Sequence, residues 1–205
     1  ETALYACKLL GVKYNGKEHR FTGKTCNFGW FYGAGAYKLG QVWGESGRFG
    51  QKLYSFLTQK FPGVQRWIDY TKDQLRTRGY VQSIFQRRRR LTEPGVHVEF
   101  TSGAGGHILR QALNSPIQGG AGDLIKFIMW VIHKKFLTKG LKSGIINQVH
   151  DEIVVETCEE ELEEVGNIVQ ESFVNPPLRD YFDFDLVVPL KVNIGVGKTW
   201  KEASL

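Results

Sequence analysis

The residues best suited to chemistry are two cations and two aromatics that recur at every fourth position. They are Arg20, Lys24, Phe28 and Tyr32, followed directly by Gly33. A four-residue step drifts by only about 40° around an α-helix, so these side chains would form one cation–aromatic stripe. Cationic side chains can contact phosphate oxygens and aromatic rings can stack on a base, which is typical of a nucleoside triphosphate site. An amphipathic helix with the aromatics in a core explains the same spacing.

A second group of reactive residues is the adjacent acidic pair Asp151 and Glu152, preceded by His150. The pair lies between two β-branched runs, so the pattern of residues 144–156 predicts a hairpin with charges at its tip. Two neighbouring carboxylates repel each other unless they are solvated or neutralised, and a divalent cation neutralises them well. A plain polar turn is the alternative interpretation.

Hydrophobic periodicity predicts the elements that must position these groups. The stripe would lie on a helix starting near Glu18, and Pro116 should kink or restart the helix that follows residue 102. Further helices are expected at residues 1–11, 49–61, 64–79, 124–136 and 159–173, and strands at 80–85, 96–100 and 186–194.

Charge is distributed unevenly along the chain, whose net charge is +6. Residues 1–90 contain 17 Lys and Arg against 5 Asp and Glu, whereas residues 91–205 contain 10 against 16. A basic half is typical of a surface that binds a polyanion. The run Arg87–Arg90 favours phosphate contact over a solvated loop, because adjacent guanidinium groups repel one another without an anionic partner.

Three cysteines, Cys7, Cys26 and Cys158, are widely spaced and form no paired motif that could hold zinc. They predict buried free thiols in a reducing compartment. The most apolar stretch, residues 124–136, is too short and too interrupted to span a bilayer. The sequence therefore predicts a cytoplasmic protein with no membrane partner.

Together these features resemble family A DNA polymerases, the DNA polymerase I group with its phage relatives. The stripe with Gly33 resembles motif B, Arg-x3-Lys-x3-Phe/Tyr-x3-Tyr-Gly, and residues 149–152 resemble motif C. The series Arg110, Asn114 and Gln118 resembles the helix that reads the minor groove of the primer–template. The similarity covers nearly the whole chain.

The resemblance implies an α+β fold and template-directed nucleotidyl transfer from dNTP to a primer 3′ end. Residues 1–100 would form a helical fingers subdomain, and residues 101–205 the C-terminal part of an antiparallel-sheet palm. The implied partners are primer–template DNA and dNTP, the implied cofactor is Mg²⁺, and the implied location is the cytoplasm of a bacterial or phage-infected cell.

The resemblance also implies roles for the stripe. Arg20 and Lys24 would bind the triphosphate, with Lys24 also the general acid that protonates departing pyrophosphate. Phe28 would pack against the incoming sugar and base. Tyr32 and Gly33 would lie where the template base enters.

For the acidic pair, the resemblance implies that Asp151 holds catalytic magnesium and that Glu152 supports it. His150 would lie near the primer end. The minor-groove residues would contact acceptor atoms present in every base pair, which allows sequence-independent checking. Those residues are Arg110, Asn114 and Gln118.

One expected part is not found in this sequence. The family's motif A aspartate lies upstream of motif B, and the only acids in residues 1–19 are Glu1 and Glu18. We therefore expect a truncated or naturally split polymerase, inactive as the isolated chain and needing an N-terminal fragment.

Two alternatives remain open. One is a non-catalytic DNA-binding protein derived from a polymerase, against which the retained Lys24, Asp151 and Glu152 argue. The other is a fragment of a single-subunit RNA polymerase, although Phe28 and Glu152 resemble the DNA enzymes more closely.

Overall fold

A computed structural model describes residues 1–96, 99–100 and 103–204. The chain divides into two compact units, Glu1–Ile117 and Gln118–Leu205. The subdomain boundary expected at residue 100 remains a prediction. The helices are α1 (Thr2–Leu10), α2 (Gly16–Phe31), α3 (Ala36–Val42), α4 (Gly47–Lys60), α5 (Pro62–Arg78), α6 (Gly103–Lys139), α7 (Leu162–Val174), α8 (Leu178–Phe182) and α9 (Trp200–Ala203). The strands are β1 (Tyr80–Gln82), β2 (Arg88–Arg90), β3 (Gly144–Val149) and β4 (Glu152–Glu156).

The first unit contains two buried apolar clusters. One cluster lies between the four helices α1, α2, α3 and α4. The other lies between α5, β1 and the first part of α6. Apolar residues at helical spacing place one side of each helix in these clusters, which leaves the other side free for function. The first cluster consists of Ala6, Cys26, Trp30, Leu39, Phe49, Leu53 and Leu57. The second consists of Ile68, Leu75, Val81, Phe100, Leu109, Ala112 and Leu113.

Part of the arginine run forms a strand, which the sequence analysis did not predict. β2 pairs antiparallel with β1, Tyr80 opposite Arg90 and Gln82 opposite Arg88. All three arginines of β2 are exposed, so the strand needs no apolar face. The Arg88 guanidinium also lies 5.0 Å from the centre of the Tyr80 ring, which favours this register. The strand predicted at residues 96–100 includes His97 and Val98, which lie outside the described residues.

α6 is one continuous helix where the sequence suggested two. Pro116 lies inside it, although proline removes a backbone donor and disfavours a helix interior by about 3 kcal/mol. Buried residues lie on both sides of the proline, Leu109, Ala112 and Leu113 before it and Ile125, Ile128 and Ile132 after it. Burial of these side chains offsets the local cost and keeps the helix continuous.

The second unit packs the β3–β4 hairpin against α6 and α7. Ile145, Ile153 and Val155 lie against the buried cluster of the two helices. The predicted final strand at residues 186–194 was wrong, because no ladder of hydrogen bonds forms there. Two of the alternating apolar residues in this segment, Leu190 and Val192, still pack on the same cluster.

Among the helices that the structure describes, none combines the length and the apolar character needed to cross a membrane.

Candidate functional site

The cation–aromatic stripe lies along the exposed side of α2. Arg20, Lys24 and Phe28 are exposed, while Tyr32, which follows the last helical residue, is half-buried. Phe28 is 52% exposed, which excludes the interpretation that places this ring in a core. The opposite side of the helix is buried and carries Gly23, Cys26 and Trp30.

Close packing behind the stripe holds α2 against α1. A Cβ atom at Gly23 would lie 2.8 Å from the Cβ of Ala3, closer than side chains can approach. Burial on the same side raises the pKa of the Cys26 thiol to about 11, so this group stays protonated at neutral pH. The back of α2 is therefore structural, and its front is the candidate binding surface.

The end of the stripe meets α6 within the first unit. Gly33 has a φ of +88°, and a Cβ there would lie 3.2 Å from Leu113 Cδ1. Arg110 is exposed and Asn114 is half-buried on this part of α6. Gln118, in the second unit, is exposed. The structure thus places Gly33 beside the segment that carries two of the three residues expected to contact DNA.

The acidic pair lies at the tip of a hairpin, as its sequence pattern predicts. Val149 pairs with Glu152, so the loop consists of only two residues, His150 and Asp151. His150 has a φ of +53°, in the left-handed region, and Gln148 Nε2 donates to its carbonyl oxygen at 2.6 Å. His150, Asp151 and Glu152 are all exposed. The tight turn therefore presents both carboxylates to solvent.

Glu152 has a partner that the sequence interpretation did not find. The indole Nε1 of Trp200 donates to Glu152 Oε1 at 2.7 Å, across 48 residues of sequence. The available signal was local: Thr199 and Glu202 have the spacing of a helix capping box, which predicts a short helix beginning at Trp200. No spacing rule connects that helix to the hairpin.

The base of the hairpin is held by Glu161, which precedes α7. Its carboxylate accepts hydrogen bonds from the backbone N–H groups of Lys142, at 2.9 Å, and Ser143, at 3.0 Å. The Ser143 hydroxyl also donates to this carboxylate, at 2.5 Å. Because the backbone N–H of Lys142 and the Ser143 hydroxyl favour the charged form, the pKa of Glu161 lies below its usual range.

The donor chemistry of the tip suits a hard divalent cation. Carboxylate oxygens are the ligands that Mg²⁺ prefers, and Asp151 and Glu152 supply them at adjacent positions of the chain. In the described part of the chain, no group of three or more His, Cys, Asp and Glu side chains could hold a metal. The pair therefore fits magnesium as part of a ligand set, and further ligands would have to come from elsewhere.

Comparison with known sequences agrees with these features. The sequence model of DNA polymerase family A matches residues 3–202. The chain is 37% identical over 207 aligned positions to the DNA polymerase I of Chloroflexus aurantiacus, covering 98% of this chain and 21% of that protein. It is 37% identical over 203 positions to the thermostable DNA polymerase I of Thermus filiformis, covering 99% of this chain and 23% of that protein. The chain thus spans less than a quarter of the length of these curated relatives.

A solved structure has a similar fold. It is the POL domain of Pol1 from M. smegmatis in complex with DNA primer-template and dNTP, with a TM-score of 0.78 and 31% identity. The match covers 98% of this chain and 34% of that one.

Proposed function

This chain belongs to DNA polymerase family A, and we propose that it supplies the nucleotide-binding helix and the acidic hairpin of a DNA-directed DNA polymerase. The reaction would be template-directed transfer of a nucleotide from dNTP to a primer 3′ end. The exposed side of α2 is the observation that carries the proposal. A solvent-facing row of two cations and an aromatic ring has no packing role of its own and suits a nucleoside triphosphate.

On this surface each residue has a separate task. The Arg20 guanidinium can bind phosphate oxygens through two parallel hydrogen bonds, and Lys24 contributes a point charge. Lys24 also supplies the proton that departing pyrophosphate needs. Phe28 contacts the sugar and base of the incoming nucleotide, while Tyr32 and Gly33 border the position of the template base.

The acidic hairpin holds the metal of the reaction. Enzymes of this family use divalent metal ions, and we assign Mg²⁺ to Asp151, with Glu152 in support. An ion held there would supply charge stabilisation for phosphoryl transfer. Because no group of three or more potential metal ligands forms among the described residues, a further aspartate would come from a motif A segment outside these 205 residues.

The remaining site residues are assigned to DNA. Arg110, Asn114 and Gln118 recur at four-residue spacing on α6 and contact the minor groove, where acceptor atoms occur in every base pair. His150, at the hairpin tip beside the metal carboxylates, contacts the primer end.

An N-terminal polymerase fragment is the proposed protein partner. In the part of the chain that the structure describes, the β3–β4 sheet has only two strands, so each strand has an unpaired edge. A neighbouring strand from the fragment would pair with one edge and bring the missing carboxylate. We expect the protein in the cytoplasm of a bacterial or phage-infected cell.

Primer extension tests the proposal. The chain is assayed with primed template, dNTP and Mg²⁺, alone and mixed with an N-terminal fragment of a family A relative that ends before the matched region. We expect extension only in the mixture, lost in Asp151→Asn and kept in Asp180→Asn, which removes an exposed carboxylate on α8.

Each other outcome has a definite meaning. Robust extension by the chain alone would refute the need for a partner. Extension that survives Asp151→Asn would refute the metal assignment. DNA binding without extension in any mixture would favour a non-catalytic DNA-binding protein.

A further inference from the structure

We propose that Trp200 is a positioning residue for Glu152: its indole N–H orients one carboxylate of the acidic pair for metal binding. The inference rests on the proposed function of the hairpin, because it concerns how that metal site is built. Trp200 does not touch substrate or metal in this proposal and acts only through Glu152. The hydrogen bond that carries it joins Trp200 Nε1 and Glu152 Oε1 at 2.7 Å.

The indole is a suitable partner for a carboxylate that is to bind a cation. A lysine or arginine in its place would bring a positive charge and compete with the metal. An indole N–H is a neutral donor with no acceptor and no titration, so it orients the carboxylate without neutralising it. It contacts Oε1 and leaves Oε2 with its lone pairs for another ligand.

Several local contacts hold Trp200 in place at the start of α9. The Thr199 hydroxyl accepts from the backbone N–H of Glu202 at 3.3 Å, which caps the helix. The Glu202 carboxylate accepts in return from the backbone N–H of Lys198 at 2.9 Å. The Ser204 hydroxyl donates to the Trp200 carbonyl at 2.9 Å. These hydrogen bonds involve residues before and after Trp200 in the sequence, so they favour one conformation of the backbone at Trp200.

The chain also folds back on itself just before Trp200. A Cβ atom at Gly197 would lie 2.5 Å from the Cβ of Glu202, so only glycine permits this approach. The turn brings residues 197 and 202 together and presents the intervening indole at its outer side, where 47% of Trp200 is exposed. A tryptophan that served only to anchor the segment in an apolar core would have a buried ring. This segment instead presents the ring edge that carries the donor to Glu152.

Carboxylates that bind metals commonly need such support. Hydrogen-bond partners behind a ligand fix its orientation, and removing them weakens metal affinity by about 10- to 100-fold. Glu152 would otherwise rotate freely at an exposed hairpin tip. The hydrogen bond from Trp200 therefore limits the motion of the Glu152 side chain.

The first test detects the hydrogen bond in the 205-residue chain labelled with ¹⁵N-tryptophan. The chain has five tryptophans, so five indole N–H signals are expected, and Trp200→Phe identifies one of them by its loss. We expect Glu152→Ala to move that signal upfield and Glu152→Gln, which keeps an acceptor, to move it less. The matched control is Glu156→Ala at the other end of β4, which should leave it unchanged. A Trp200 signal that ignores Glu152→Ala would overturn the inference, and the other four signals report whether each variant is folded.

The second test measures Mn²⁺ affinity by calorimetry in the mixture of the chain with the N-terminal fragment, because the acidic pair is only part of a ligand set. We expect Trp200→Phe, which keeps an aromatic ring and removes the donor, to weaken binding about tenfold. Trp130→Phe, at an exposed tryptophan on α6, is the control and should have no effect. If Asp151→Asn abolishes binding but Trp200→Phe leaves it unchanged, the metal assignment stands and the positioning role is wrong. If the wild-type mixture binds no Mn²⁺, the positioning role is also overturned. Loss of binding in Asp151→Asn together with weaker binding in Trp200→Phe supports it.

Discussion

The ammonium group of Lys24 lies 5.6 Å from the centre of the Phe28 ring on the exposed side of α2. The two side chains are one helical turn apart, so the cation and the ring form a single surface. A triphosphate bound by Lys24 would place its sugar and base near Phe28. Lys24 and Phe28 would therefore contact two parts of the same nucleotide, its triphosphate and its sugar and base.

Removal of this charge should weaken nucleotide binding. We expect Lys24→Gln to lower the affinity for dNTP by about 10- to 100-fold, because a hydrogen bond to a charged group contributes about 1.5–3 kcal/mol. Calorimetry or fluorescence anisotropy on the chain would measure it. Lys52→Gln, at an exposed lysine on α4, removes the same charge and should leave affinity unchanged. Equal losses in both variants would show only a general effect of charge.

The close contact behind the stripe should be intolerant of a methyl group. Gly23→Ala would place Cβ 2.8 Å from the Cβ and 3.0 Å from the backbone nitrogen of Ala3, so α1 and α2 must separate. We expect a loss of about 1–3 kcal/mol in the free energy of unfolding by urea denaturation. Gly16→Ala has open space around it and should be neutral or slightly stabilising. A neutral result at Gly23 would mean that the two helices do not approach this closely.

The backbone of His150 should prefer glycine to alanine. With φ at +53°, a residue with a Cβ is disfavoured by about 1 kcal/mol, so His150→Gly should be more stable than His150→Ala by that amount. At His133, which is exposed on α6, His133→Ala should instead be more stable than His133→Gly by a similar amount. Thermal or urea unfolding of the four variants measures both differences. The same order at both positions would contradict the strained turn.

The Glu161 contact should make stability depend on pH. Because the pKa of Glu161 is lowered in the folded state, its contribution is present above the unfolded pKa, about 4.3 for glutamate, and is lost as pH falls through the folded pKa. Glu161→Gln should therefore be less stable than wild type at pH 7, with a difference that shrinks on acidification below about pH 4. Urea unfolding at a series of pH values tests this. Glu160→Gln, which does not share the three Glu161 contacts, is the control, and a difference that grows in acid would rule out the assignment.

The arginines of β2 are predicted to contact phosphates. Replacing Arg89 and Arg90 together by glutamine should weaken DNA binding and reduce the salt dependence by about one unit of slope per lost phosphate contact. Affinity measured at several salt concentrations gives the slope. The charge-matched pair Lys38→Gln and Lys52→Gln should change the slope less. Equal slopes in wild type and the arginine variant would show that this strand does not touch DNA.

Local rules predicted much of the fold. The end of α1 at Gly11, which has a φ of +67°, the break before α5 at Pro62, and the β3–β4 hairpin all follow from glycine, proline and β-branched residues acting on their own neighbours. The interpretation missed the short helices α3, α8 and α9, whose four to seven residues are too few for a periodic pattern.

Other parts of the fold depended on distant partners. Arg88–Arg90 became a strand because Tyr80–Gln82 offers it hydrogen bonds, and α6 continues through Pro116 because packing on both sides outweighs a local cost. Residues 186–194 kept their alternation but form no strand, since a strand requires a hydrogen-bonded neighbour. In each case the deciding interaction lay outside the segment.

The sequence by itself determined which side chains share a surface, because the repeat of a helix and the two-residue loop of a hairpin are consequences of covalent geometry. It placed Lys24 beside Phe28 and Asp151 beside Glu152. Only the tertiary structure decided that Phe28 faces solvent and that Trp200 donates to Glu152. Those outcomes depend on how separate elements pack, and no spacing along the chain encodes a contact across 48 residues.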